Sequence, residues 1–170
     1  FGHELVLHFL RENGVEIIEN SKLNWAARYG RLGYFRAMLN AYKKNTVKFA
    51  QFNPALNDNF VIKEACSKGH AKVVGLLLQA KLEHPDLFNG IDPSAQNNYA
   101  IIQAALNGHA KVIELLLQAK LEHPDLFNGI DPSAEDNYAI ILAASNGHAK
   151  VIELLLQAKL KHPVLFNGID

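Results

Sequence analysis

The chain has 170 residues, equal numbers of acidic and basic side chains, and 49% hydrophobic residues. That length holds one ordinary domain or a short repeat array, and that balance excludes a disordered polymer. The single cysteine excludes an internal disulfide, which is compatible with a reducing compartment, and apolar runs of only a few residues exclude a membrane span.

The first element is the apolar stretch 2–12, which opens on Gly2-His3 and reads as the second half of a helix pair. There is no starting methionine and no signal-peptide pattern. Phe1 falls inside a helical pattern and Asp170 inside a repeat, so a fragment of a longer protein is expected, with 1–170 forming one domain. A complete helix pair follows at about 20–40. Between 21 and 57 there is no acidic residue, while Lys22, Arg28, Arg31, Arg36, Lys43, Lys44 and Lys48 crowd the same stretch. They interleave with Trp25, Tyr29, Tyr34, Phe35, Tyr42, Phe49 and Phe52. Basic and aromatic residues so mixed mark a candidate partner site, for an acidic protein surface or for nucleic acid. A nucleic-acid binder is more often basic overall, and this chain is neutral.

Three more pairs are predicted at about 58–80, 97–119 and 136–158. Their register is set by Gly69, Gly108 and Gly147, each 39 residues from the last, and another step back reaches Gly30. The peptide GHAKVIELLLQAK occurs unchanged at 108–120 and 147–159. The units that start at Gly69 and Gly108 differ at six positions, four of them on the first helix or its start: Gln96 to Glu135, Asn97 to Asp136, Gln103 to Leu142 and Leu106 to Ser145. Such a period signals stacked repeats. Within a unit, residues 134–145 form a first helix with Ser133 as its N-cap and Glu135 and Asp136 favourably placed in its first turn. Asn146-Gly147 ends it, because glycine supplies a left-handed residue there. The second helix leaves only Lys111, Glu114 and Gln118 polar in its middle copy, so it is buried on several sides. Small pairs such as Ala104-Ala105 let first helices approach closely, which predicts a concave face on that side. In the loop, Pro124 starts a short turn, and Leu126, Phe127 and Ile130 tuck it onto the stack.

The stretch DNYAIILAASNGHAKVIELLL resembles the helix-turn-helix core of the ankyrin repeat in its Ala-Ala pair, its Asn-Gly-His turn and its Val-Ile-x-Leu-Leu-Leu helix. The resemblance implies an all-α ankyrin-type solenoid of about four helix pairs, an N-terminal orphan helix and long inter-repeat loops. Two features depart from the family. The usual Thr-Pro-Leu-His is replaced by Phe60-Val61-Ile62-Lys63, Tyr99-Ala100-Ile101-Ile102 and Tyr138-Ala139-Ile140-Ile141, so apolar packing should take over from its inter-repeat hydrogen bonds. The period also exceeds the family norm of about 33, with the surplus in the loop. Similar divergent arrays occur in effectors of intracellular bacteria and in large viruses, which implies a host protein as partner if this chain is one of them. Family contacts, carried over, fall on Arg28, Tyr29, Ser67, Lys68, Leu106, Asn107, Ser145 and Asn146 before the turns. At the start of the first helix they fall on Asn57, Asn59, Gln96, Asn98, Glu135 and Asn137.

No catalytic constellation is found. His70, His109 and His148 recur once per layer, and layers roughly 8–10 Å apart cannot share one ion whose ligands lie about 2 Å from it. Each is expected to help cap a second helix instead. Cys66 occupies a small-residue core position. The chain is therefore expected to be no enzyme, to need no cofactor or metal, to have no transmembrane segment, and to act as a cytoplasmic monomer. Its predicted role is to bind another protein on the concave face, with Trp25, Arg28, Tyr29, Arg31 and Tyr34 dominating affinity. The alternative is a structural spacer for a domain outside these residues.

Overall fold

Leucine-rich segments too apolar for a lone helical hairpin meet in layers, and each layer is closed by the next. The computed structural model describes residues 20–44 and 53–169; the expected helix at 2–12 lies outside them, as do Lys48, Phe49 and Phe52. Four helix pairs follow one another: α1 (Asn20–Arg28) with α2 (Leu32–Lys44), α3 (Leu56–Ser67) with α4 (Ala71–Glu83), α6 (Ala95–Leu106) with α7 (Ala110–Glu122), and α9 (Ala134–Ser145) with α10 (Ala149–Lys161). Single turns, α5 (Pro85–Phe88) and α8 (Pro124–Phe127), sit in two of the loops. The described residues contain no strand, so the long loops carry helical turns where a hairpin would otherwise project.

First helices pack on first helices, and second helices on second helices. The first-helix layer is the tighter of the two because Ala26, Ala27, Ala65, Cys66, Ala104, Ala105 and Ala143 are fully buried between its members. The second helices contribute the larger side chains. Val74, Leu77, Ile113, Leu116 and Leu155 are completely buried. The last three second helices run three residues past the ranges read from the pattern, and the N–H groups of His84, His123 and His162 still bond to the carbonyls of Ala80, Ala119 and Ala158 at 3.0 Å. The following prolines Pro85 and Pro124 then start a new turn.

The ends of the first helices behave as expected, with Gly147 left-handed at φ 74°. Their starts do not. Ser133 makes no cap; its hydroxyl donates to Asp131 Oδ1 at 2.6 Å and its N–H to the same oxygen at 2.9 Å. Residues 135, 136 and 137 then take φ of 53°, 55° and 66°, one left-handed turn before the right-handed helix begins. Residues 57–59 and 96–98 do the same. Glu135 and Asp136 therefore do not sit on the positive end of a regular helix, and the dipole expectation fails there. Each left-handed residue costs about 1–2 kcal/mol, least for asparagine and aspartate, whose short side chains bond locally. The turn is held from the next layer: Asn59 Oδ1 accepts the Asp92 N–H, and Asn98 Oδ1 that of Asp131, both at 2.8 Å.

The loops lie down as predicted. Phe88, Ile91, Phe127 and Ile130 are buried, and Leu87 and Leu126 pack against the same core. Lysines pin them. Lys81 Nζ donates to the Ile91 carbonyl at 2.7 Å and lies 5.5 Å from the centre of the Phe127 ring in the next layer. Lys120 repeats this with the Ile130 carbonyl at 2.5 Å and the Phe166 ring at 5.8 Å. Burial lowers both ammonium groups below the ordinary lysine range, with Asp92 and Asp131 opposing the shift.

Candidate protein-binding face

The turn between the two helices of each pair carries the Gly-His dipeptide, and its geometry decides which neighbours remain for a partner. His70 Nε2 donates to the Arg28 carbonyl at 2.8 Å, His109 Nε2 to that of Ser67 at 3.0 Å, and His148 Nε2 to that of Leu106 at 2.9 Å. A carbonyl only accepts, so Nε2 bears the proton. These imidazoles make no cap bond to their own helices. Each reaches back one layer instead, across a glycine with no room for a side chain: a Cβ on Gly108 would lie 2.6 Å from His148 Nδ1. The hydrogen bonds lost with Thr-Pro-Leu-His are thus remade by histidine and by Asn59 and Asn98, and the expectation of purely apolar replacement is corrected. Tyr99 and Tyr138, expected to pack there, stay 42% and 47% exposed.

The predicted site residues separate into several groups. Trp25 and Tyr29 are 51% and 56% exposed, with ring centres 5.4 Å apart, and the Arg31 guanidinium lies 5.2 Å from the centre of the Trp25 ring. The end of α1 and the link to α2 bring these three together. Arg28 is adjacent, but its Nε donates to Glu64 Oε1 at 2.8 Å in the next layer, and that bond raises its pKa. Lys43 likewise meets Glu83 at 3.4 Å. The basic block is therefore partly answered by acids of the following repeat. Tyr34 is not at this surface. It packs against the core edge-on to Phe35, and burial pushes its phenol up to about 12.

Along the later layers, Lys68, Asn107 and Asn146 continue the register of Tyr29, and all three are exposed. Asn107 and Asn146 turn their amides onto the Gln103 and Leu142 carbonyls at 2.8 Å, and Ser145 Oγ donates to that of Ile141 at 2.9 Å, satisfying the ends of their own helices. Ser67 and Leu106 are half-buried, with carbonyls engaged by histidine. Gln96 and Glu135 are exposed at the left-handed turns. Gln96 bridges layers, accepting from Lys63 at 2.5 Å and donating to Asp58 at 3.3 Å. Asn98 is buried in its inter-layer bond and is a stacking residue; Asn137 is half-buried at the same register.

Among the described residues no three His, Cys, Asp or Glu side chains gather as a metal site would require. Cys66 is fully buried, and desolvation raises its thiol pKa, which disfavours the thiolate needed for nucleophilic chemistry. No described helix is long and apolar enough to cross a membrane.

The family model for ankyrin repeats matches in three copies over residues 62–164, more than half of the sequence. No curated protein and no solved structure matches it. Ankyrin repeats are generally protein–protein interaction modules and typically non-catalytic. With the helix pairs, the Gly-His turns and this match in agreement, the chain belongs to the ankyrin repeat family.

Proposed function

We propose that the whole chain is one non-catalytic ankyrin domain that binds a partner protein through its first-helix face, with the strongest contacts at the N-terminal pair. The observation that carries this is the cluster of Trp25, Tyr29 and Arg31, exposed and yet already held ring against ring and cation against ring. Tryptophan, tyrosine and arginine dominate measured hot spots, and side chains ordered before binding lose little entropy on contact. The partner chemistry that fits is an acidic protein surface, because no acid lies between 21 and 57. The compartment that fits a lone reduced cysteine is cytoplasmic, a host cell's if the chain is an effector. It acts as a monomer, with no cofactor.

The test is capture from a eukaryotic lysate followed by titration of the captured protein against Trp25→Ala/Tyr29→Ala. Affinity should fall at least tenfold, the loss of one hot spot. Equal affinity would move the site to Lys68, Asn107 and Asn146, and no specific capture would favour a spacer role. Arg28→Glu is the wrong probe, because it would also set two acids against each other at Glu64.

A further inference from the structure

Five Asn-Gly pairs fall among the described residues, and they occupy two kinds of place. Asn107 and Asn146 end first helices, whereas Asn89, Asn128 and Asn167 lie in the loops. An asparagine followed by glycine is open to reaction with its own chain, because no Cβ shields the glycine nitrogen from the side-chain amide carbon before it. At Asn107 the fold blocks that approach. The Asn107 amide donates to the Gln103 carbonyl at 2.8 Å, the Gly108 N–H donates to that of Ala105 at 3.1 Å, and the His148 imidazole lies against Gly108.

The loop pairs carry none of those restraints. Asn89 and Asn128 are exposed, neither side chain makes a hydrogen bond among the described residues, and the N–H groups of Gly90 and Gly129 bond to no described carbonyl. The two loops are copies. Residues 82–95 and 121–134 have the same sequence, and the backbone matches, with φ −56° and ψ −32° at Asn89 against φ −58° and ψ −31° at Asn128. They differ at the lysine. Lys120 Nζ donates to the Asn128 carbonyl at 3.3 Å as well as to that of Ile130, whereas Lys81 bonds to the Ile91 carbonyl at 2.7 Å and not to that of Asn89. The Asn128 carbonyl and the Gly129 nitrogen belong to one peptide group. A cation held on that oxygen stabilises the anion left when the nitrogen loses its proton.

We propose that Asn128-Gly129 is a self-modification site, where the folded chain converts its own asparagine into aspartate and isoaspartate with water as the co-reactant and Lys120 promoting the step. Hydroxide takes the proton from the Gly129 nitrogen while Lys120 holds the negative charge on the Asn128 carbonyl oxygen. The nitrogen then attacks the side-chain carbon of Asn128. That C–N bond forms, the bond to the side-chain nitrogen breaks, and ammonia leaves with a proton from water, which restores the hydroxide. Ring closure needs ψ of Asn128 to leave −31°, and no bond on the Gly129 N–H opposes that rotation. Water opens the resulting imide at either carbonyl, with no change of oxidation state. Opening at the side-chain carbonyl gives aspartate. Opening at the main-chain carbonyl gives isoaspartate, reroutes the backbone through the former side chain, and leaves a carboxylate where Lys120 held a carbonyl.

The experiment incubates the chain, folded and in denaturant, at mildly alkaline pH and follows each Asn-Gly pair by peptide mapping with mass spectrometry that separates aspartate from isoaspartate. In the folded chain Asn128 should convert about threefold or more faster than Asn89, the low end of what one hydrogen bond contributes. It should convert about tenfold or more faster than Asn107, whose bonds must open first. In denaturant Asn89 and Asn128 should convert at the same rate, because the residues around them are identical. Lys120→Gln should bring the folded rate at Asn128 down to that of Asn89; a merely structural lysine would give the opposite, a rise as the loop loosens. The inference is overturned if Asn128 leads neither Asn89 nor Asn107 in the folded chain, or leads only one of them. It is also overturned if the lead over Asn89 persists in denaturant, or if Lys120→Gln leaves the rate at Asn128 unchanged or raised.

Discussion

The pair α1–α2 and the three pairs after it share an architecture and almost none of their residues. In the later pairs the residues that join one layer to another stay constant: the histidine, the glycine it crosses, the asparagine of the left-handed turn, and the loop lysine with its phenylalanine. In the first pair Arg31 replaces the histidine, ion pairs Arg28–Glu64 and Lys43–Glu83 join it to its neighbour, and Trp25 and Tyr29 face solvent. A layer can therefore change its polar links as long as the small residues and the buried leucines stay. That freedom allows one pair to diverge in sequence while the others keep the same links.

The comparison can be broken most directly in the shared core. Leu116→Ala, at a fully buried side chain, should cost about 2–5 kcal/mol in denaturant unfolding. A loss under about 1 kcal/mol would falsify burial on several sides. Next is the glycine slot, occupied in one layer and empty in another. Gly108→Ala should cost about 2–3 kcal/mol, from left-handed strain and the displaced His148 bond, whereas Gly147→Ala should cost only the strain, about 1–2 kcal/mol. Equal losses would mean that the imidazole does not lie over Gly108. Asn98→Ala should cost about 1–3 kcal/mol, because the Asp131 N–H loses its acceptor; an unchanged midpoint would return Asn98 to the surface. The smallest stability effect is expected where the first pair has diverged. Trp25→Ala should change unfolding by no more than about 1.5 kcal/mol, the scale of one aromatic pair, while it weakens partner binding. A larger loss would make Trp25 a core residue.

The candidate site was legible in part. Exposed Trp25, Tyr29 and Arg31 stood out because a basic, aromatic stretch broke an otherwise repeated text. Tyr34 and Asn98 looked similar in the sequence, and neither belongs to an open surface. Tyr34 shares the aromatic composition of the stretch but sits on the second helix, where its ring packs inward. Asn98 recurs in register with residues taken for contacts, yet recurrence at a layered position is equally the mark of a bond between layers. Sequence identity alone does not separate those two causes.

The sequence by itself determined the repeat, its period, the two-helix unit and the glycine stop, because each follows from local periodicity and from the conformations a single residue type allows. Only the tertiary structure decided where the polar atoms go. The histidine reaches back to the previous layer, the serine turns to the aspartate behind it, and three polar residues take a left-handed turn. The serine and its aspartate are only 2 residues apart, but the asparagine and histidine bonds between layers join residues 33 and 42 apart. No window of sequence short enough to be read as one helix contains both ends of such a bond.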